Sequence, residues 1–415
     1  MSDYSSTYPT QSPTFAFDAK AGKLDSRISY TRSSTGTAFS SEKHLSSENL
    51  ISQSADLGSW SEGSTAFTTI TSNATTAPDG TTTAAQITGL TGTNKKAIYH
   101  GITTASTGSH TGVAYVKPNG HEYVQLMFGG APSVYQNYHL SGSGTKGNGG
   151  NDEATIEKLG DWYKITISST ALAGWATNYY IVLVDSNTAA RYEDSTSTSS
   201  IFAWGANFST TGQKVFNSTS GQIHREYAPL LKTASADSPR FEYAADGQSV
   251  GTALGLLVES QSSNLFARSS GFDYTAAWTK TDVTATAEAI SPDGTLNAFA
   301  IRETTGTGAK RIHQAATVAA GSVAVSVYAK LLGNERRLVI REDSTTGDSA
   351  VFDLSSGTVA ATNVGGAGTI ESVGNGWYRC TLITSPSGSP GYTFGFWLAT
   401  ATGTNYESYT GDGFS

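Results

Sequence analysis

Two stretches of the chain carry the same landmarks in the same order, and this internal repeat constrains the fold more than any other feature. Asn49-Leu50 opens the first copy and Asn264-Leu265 the second. Trp60 is matched by Trp278, and the turn Pro78-Asp79-Gly80 by Pro292-Asp293-Gly294. Tyr115-Val116-Lys117 is matched by Tyr328-Ala329-Lys330, and Trp162-Tyr163-Lys164 by Trp377-Tyr378-Arg379. The separations are 215, 218, 214, 213 and 215 residues, so insertions between the copies are small. Each copy is about 160 residues long, a whole domain and not a solenoid unit.

The local pattern within each copy is that of strands. Val323, Val325 and Val327 alternate with Ser322, Ala324 and Ser326, the period of a half-buried strand. Ile165 and Ile167 alternate with Lys164 and Thr166. In Pro-Asp-Gly, Pro presets the first turn dihedral and Gly takes the positive one. No stretch sustains a 3.6-residue period with caps, so helices should be few and short. With 45 Gly, 10% aromatics and only 14% charged residues, composition points the same way. The expected fold is all-β: two tandem β-sandwich (jelly-roll) modules behind an extended N-terminal segment.

The boundaries follow from the repeat. Residues 48–208 form the first module and 263–415 the second. Residues 209–262 connect them and contain the ordered-looking runs Pro239–Tyr243 and Leu254–Glu259. Residues 141–151, rich in Gly and Ser, read as a flexible loop inside the first copy. Residues 1–47 hold too few apolar anchors to offset backbone ordering entropy, and should order only against a partner.

Charge and cysteine content narrow the function. The net charge of −8, with no basic stripe, argues against a nucleic-acid backbone or an anionic membrane surface as partner. The longest apolar run, Tyr179–Val184, is far too short to span a bilayer. Met1-Ser2-Asp3-Tyr4-Ser5-Ser6 carries no basic or apolar region, so no secretory signal is expected. The lone Cys380 excludes an internal disulfide. The repeat aligns it with Ile165, so it should be a small buried hydrophobe and not a nucleophile.

Catalytic spellings are present but lack their context. Gly247-Gln248-Ser249-Val250-Gly251 matches a nucleophile elbow, yet sits in a turn before a short apolar run. Gly142-Ser143-Gly144-Thr145-Lys146-Gly147 matches a dinucleotide fingerprint without a βαβ unit. Asp152-Glu153, Glu193-Asp194 and Glu342-Asp343 are adjacent carboxylates. Neighbours on a strand face opposite ways, so adjacency does not make a glycosidase pair, and solvated loop charge is the better reading. The seven His residues show no metal-ligand spacing. The chain is therefore expected not to be an enzyme. Aromatic ring faces can stack on sugars, and Tyr135, Tyr138, Trp175 and Tyr179 cluster near the glycine-rich loop. Trp175 and Tyr138, flanked by polar loop residues, are the preferred platform; the competing reading places these rings in the sandwich core.

Arg32-Ser33-Ser34-Thr35, Pro239–Tyr243, Leu254–Glu259, Gly376–Arg379 and Ile201–Ala206 together resemble a module of tailed-bacteriophage virion proteins. In that family these motifs surround a jelly roll similar to carbohydrate-binding modules. The resemblance implies a structural virion protein, a tail fibre or a head fibre or spike, for host-surface attachment. It implies docking on other virion proteins through the N-terminal segment, a homotrimer, and host-surface glycan as a partner. It also implies assembly in the host cytoplasm and release by lysis. Alternatives are a purely structural module that joins subunits without glycan, and the accessory region of a glycan depolymerase. No cofactor is implied beyond a structural calcium ion, for which Glu193 and Asp194 are the candidate ligands. The first copy departs from the pattern, with Asp161 in place of Gly before Trp162. Finally, the first copy closes on Ile201–Gly205, whereas the second reaches Ser415 where that strand should begin. The expectation is that the missing strand lies downstream or comes from a neighbouring subunit.

Overall fold

The computed structural model describes residues 24, 28–62, 67–102, 108–130, 134–149, 153–172, 178–245, 251–258, 262–333, 336–344, 347–387 and 389–413. Among these residues the chain is all-β; the single helical element is a 3₁₀ turn, Leu57–Ser59. Strand β1 (Gly36–Asn49) leads into the first sandwich. The sandwich holds β2 (Ser61–Glu62), β3 (Thr68–Thr75), β4 (Ala84–Gly89), β5 (Lys96–Gly101), β6 (Gly108–Asn119) and β7 (Tyr123–Phe128). It continues with β8 (Tyr135–His139), β9 (Thr145–Gly149), β10 (Thr155–Leu159), β11 (Trp162–Leu172), β12 (Asn178–Leu183) and β13 (Ser200–Ser209). One sheet has the order β10-β11-β6-β13-β4-β3 and the other β2-β5-β12-β7-β8-β9. Every ladder is antiparallel, and the inward halves of the alternating strands meet in one core around Ile98, Leu126, Phe128, Ile165, Tyr179 and Ile201.

The connector carries β14 (His224–Ala234), β15 (Phe241–Tyr243) and β16 (Ala253–Leu256). The second sandwich follows with β17 (Thr279–Thr281), β18 (Val283–Ala289), β19 (Ala298–Glu303), β20 (Thr307–Val318), β21 (Val323–Lys330) and β22 (Arg337–Glu342). It ends with β23 (Ser349–Asp353), β24 (Thr358–Asn363), β25 (Ala367–Ser372), β26 (Trp377–Thr384), β27 (Ser389–Ala399) and β28 (Ser408–Thr410). Its seven-stranded sheet runs β17-β20-β27-β22-β23-β24, the order of the first sandwich's second sheet, with β28 added beside β20.

The repeat holds at the level of single residue pairs. Tyr163 lies opposite Val116 and Lys164 opposite Tyr115; Tyr378 lies opposite Ala329 and Arg379 opposite Tyr328. The indole of Trp60 donates to the Gln53 carbonyl, and that of Trp278 to the Arg268 carbonyl. In both Pro-Asp-Gly turns the aspartate accepts from the backbone and hydroxyl of the following Thr. Cys380 is buried opposite Val327, in the slot Ile165 fills opposite Ala114. Burial pushes its thiol up to about 12, so it is a core side chain held as the neutral thiol.

Two expectations need correcting. The N-terminal stretch 1–47 is not without structure on its own, because β1 pairs along its length with β14 of the connector in the same chain. Of the segment expected to dock on the virion, 1–47, residues 1–23 and 25–27 lie outside the described residues. The glycine-rich stretch 141–151 is not all loop either. Thr145–Gly149 forms β9 and closes the sheet edge beside β8. Gly147 is needed there: a Cβ would stand 1.9 Å from the Asn187 carbonyl oxygen. Composition alone misread it, since glycine serves close backbone approach as well as flexibility.

The two sandwiches are joined through their faces. Lys164 on β11 points away from its own core and meets Glu288 on β18 at 2.5 Å. Arg302 on β19 grips the same carboxylate with two bonds, at 2.7 and 2.9 Å. The side chains are only 2%, 2% and 5% exposed. The ribbon of β1 and β14 adds a second contact, with Leu231 N donating to the Pro292 carbonyl and Phe39 packing edge-on against Tyr328.

Candidate functional site

The sequence candidates fall on one sheet, the first sandwich's β2-β5-β12-β7-β8-β9, but on different faces of it. Tyr138 on β8 and Tyr179 on β12 point inward and are fully buried. The Tyr138 hydroxyl donates to the Thr166 carbonyl across the core. Neither ring face can meet a sugar, so both are corrected to core residues. Tyr135, two residues before Tyr138's neighbour Asn137, points outward and is partly buried on the opposite face. Trp175, the preferred platform residue, lies outside the described residues.

The outward face holds aromatic residues that were not singled out. Tyr180 sits directly opposite Tyr99, with ring centroids 5.1 Å apart and planes at 31°. Tyr192 packs on Tyr180 at 5.5 Å, and the Lys95 ammonium lies 5.6 Å from the Tyr192 ring centre. Tyr123 stacks on His139 at 4.5 Å. All are partly exposed over a floor of Ala97, Met127, Val182 and Val184. The signal for them was present in the sequence: if Tyr179 faces the core, the next residue must face out.

The loop between β12 and β13 lies across this face and holds the calcium candidates. Asn137 donates to the Ala189 carbonyl, Gln125 to the Ala190 carbonyl, and Tyr192 N to Gln125. Glu193 accepts from Ala190 N, and Asp194 pairs with Lys95 at 2.9 Å. Asp185 in the same loop accepts from Ser195 and Thr196; these bonds outweigh its burial and hold its carboxyl below the usual range. Among the described residues no group of three or more His, Cys, Asp or Glu side chains is placed to hold a metal ion. Glu193 and Asp194 tie the covering loop to its own backbone and to Lys95, just before β5.

The equivalent face of the second sandwich has a different chemistry. Arg341 lies 4.1 Å from the Tyr406 ring centre, and Asp343 sits between Arg341 at 2.8 Å and Arg311 at 2.7 Å. Arg311 in turn stands 5.9 Å from the buried Trp397 ring. The two copies share strands but not a surface. Of the other acidic pairs, Glu342 is buried and accepts from Ser344 and Gly347, so it shapes the β22–β23 loop. The elbow spelling at Gly247–Val250 lies outside the described residues.

No protein-family model and no curated protein matches the chain. Among solved structures, an 11S globulin from Wrightia tinctoria is similar at 9% identity, over 78% of this chain and 81% of that one, with a TM-score of 0.13. At that score the likeness carries no argument about fold or function.

Proposed function

We propose that the chain is a non-enzymatic structural virion protein of a tailed phage, whose first sandwich presents its tyrosine face to host-surface glycan. The observation behind the attachment role is the outward row Tyr99, Tyr180 and Tyr192, partly exposed beside Lys95 on the rigid face of a sheet. Such rings offer flat apolar area at low entropic cost, with hydroxyls for a sugar's polar edge. The virion role rests on the motif resemblance, and the trimer and the docking of the N-terminal segment on other virion proteins rest on it too. The alternative, a unit that joins virion parts and binds no sugar, is favoured by the buried Lys164–Glu288–Arg302 contact, which makes a stiff spacer of two sandwiches.

The test is an array of bacterial surface glycans probed with the full chain. Retention of a glycan that is lost in the double variant Tyr99→Ala, Tyr180→Ala supports attachment. No retention by the wild-type chain leaves the joining role. Gold-labelled antibody against this chain, applied to phage particles of the source, reads the virion assignment separately; unlabelled particles would refute it.

A further inference from the structure

The loop that crosses the first sandwich's outward face is clamped from beneath by two side-chain amides. Gln125 on β7 and Asn137 on β8 are fully buried, and the Gln125 amide donates to the Asn137 side-chain carbonyl at 2.7 Å. Between them they bind three main-chain groups of the loop. The carbonyls of Ala189 and Ala190 accept at 2.6 and 3.1 Å, and Tyr192 N donates at 2.8 Å. Tyr192 is thereby held at a φ of 54°, a left-handed backbone that a bulky aromatic residue rarely adopts. Strain of this kind persists where the surroundings over-determine it, and it gathers at binding sites. Here the strained residue packs its ring on Tyr180, in the tyrosine row.

The same clamp delivers Arg191, which is partly exposed. Its guanidinium donates to the Phe128 carbonyl at 3.1 Å. That carbonyl belongs to the Phe128–Gly129 peptide, and the Tyr180 ring lies against Gly129: a Cβ there would stand 2.9 Å from Tyr180 Cε2. Guanidinium and tyrosine ring thus meet over one peptide at the end of β7. The charges along this row are not balanced alike. Lys95, beside the Tyr192 ring, is answered by Asp194 at 2.9 Å. Among the described residues no carboxylate pairs with Arg191; its partner is the neutral carbonyl, which leaves donors of the guanidinium for a second acceptor.

We propose that the sugar polymer taken by this face is acidic, and that Arg191 binds its anionic group, a carboxylate or a phosphate, while the rings of Tyr180 and Tyr192 hold the sugar. This rests on the attachment reading above and narrows it to a substrate class. An anionic oxygen gives the guanidinium a charge-assisted, fork-shaped pair, which a neutral sugar cannot supply. The chain's net charge of −8 gives it no general attraction for polyanions, so retention of one must come from a local cation.

The experiment probes the full chain against an array holding uronic-acid polymers, phosphate-bearing polymers and neutral polymers of bacterial surfaces. The retained glycans should be acidic, and the class retained tells carboxylate from phosphate. Arg191→Gln should weaken binding of a retained acidic glycan about tenfold or more, and Arg191→Lys, which keeps the charge but not the fork, should lose less. Masking the anionic group as its methyl ester should weaken binding to the wild-type chain by a similar factor. Retention of neutral glycans alone, or acidic binding that Arg191→Gln leaves within about twofold, overturns the proposal. Loss of that same binding in Tyr99→Ala, Tyr180→Ala would then show that the tyrosine face still attaches to glycan, without reading charge. Retention of no glycan at all overturns the attachment reading, and this proposal with it.

Discussion

Among the described residues the second sandwich repeats the first in every strand from β2 to β12, and only the first shows a strand in the place of β13. Their complete sheets agree in order, and their Trp-Tyr strands agree in register to the residue. The difference lies in the two ladders of β13, in the pairing of β28 with β20, and in the burial of Leu50 against Leu265. The eleven-strand architecture that the copies share therefore does not depend on β13 for its register, which hairpins and alternation already specify. What β13 adds is cover: it turns two sheet edges and an Asn-Leu entry into interior.

The largest expected effect concerns how separately the two modules can be compared at all. Glu288→Ala strands two cations in a buried junction, and should cost roughly 3–5 kcal/mol of unfolding free energy in a denaturant titration. Replacing all three partners together, with Lys164→Met, Glu288→Leu and Arg302→Met, should be close to neutral, since no charge is left to desolvate. A mild Glu288→Ala would show that water enters the junction, and would free the modules to be treated as independent.

The next effect measures the difference itself. Leu50→Ala should cost roughly 2–5 kcal/mol, the usual range for a buried leucine. Leu265→Ala should stay within about 0.5 kcal/mol, as at an exposed site. Equal costs by thermal or denaturant unfolding would mean that the second entry is covered in solution, and the contrast between the copies would disappear.

A third prediction uses pH. Burial, opposed by Glu288, pushes Lys164 down to about 8, while its counterpart Arg379 stands exposed on the second copy. The folded state then releases this proton before the unfolded state, whose lysine titrates near 10.5. Between these values the unfolded state holds more protons, so this group's contribution makes stability rise with pH through the window from about 8 to 10.5. The rise has a ceiling of about 3 kcal/mol. Lys164→Met should flatten it, whereas Arg379→Met should not; identical profiles for the two variants would place the titrating group elsewhere.

How much of this was legible in the sequence varies with what each inference used. The repeat, the matched turns and the slot of Cys380 all followed from aligning the chain with itself. Such an alignment carries position and strand parity together. The aromatic site did not follow, because Tyr135, Tyr138 and Tyr179 were grouped by nearness in sequence and not by parity. Tyr138 and Tyr179 share a face with Ile181 and Leu126, which is the core face, while Tyr180 and Tyr99 take the other. The joining triad was not readable either. Lys164 looks like an ordinary solvent-side residue of a strand, and only the docking of a second domain buries it.

The smallest effect tests the identity of the copies at their most similar point. Asp79 and Asp293 follow proline in turns whose glycines take φ of 82° and 79°. Each carboxylate accepts from the backbone and hydroxyl of the Thr two residues on. Replacing either by Ala leaves the turn dihedrals to Pro and Gly but removes these charge-assisted bonds, at a cost of about 1 kcal/mol each. Asp293 should cost somewhat more, because Ser291 at 2.6 Å and Asn297 at 3.2 Å also donate to it. Against its partial burial, the bonds from Ser291, Thr295 and Asn297 together hold its carboxyl below the usual range. A group with a lowered folded-state pKa gives stability that is present at neutral pH and lost as pH falls through that value. The gap between Asp79→Ala and Asp293→Ala should therefore be widest near neutrality and close in acid. If Asp79→Ala proves the costlier of the two at neutral pH, the turns are alike in backbone only, and the side-chain correspondence between the copies ends at the proline.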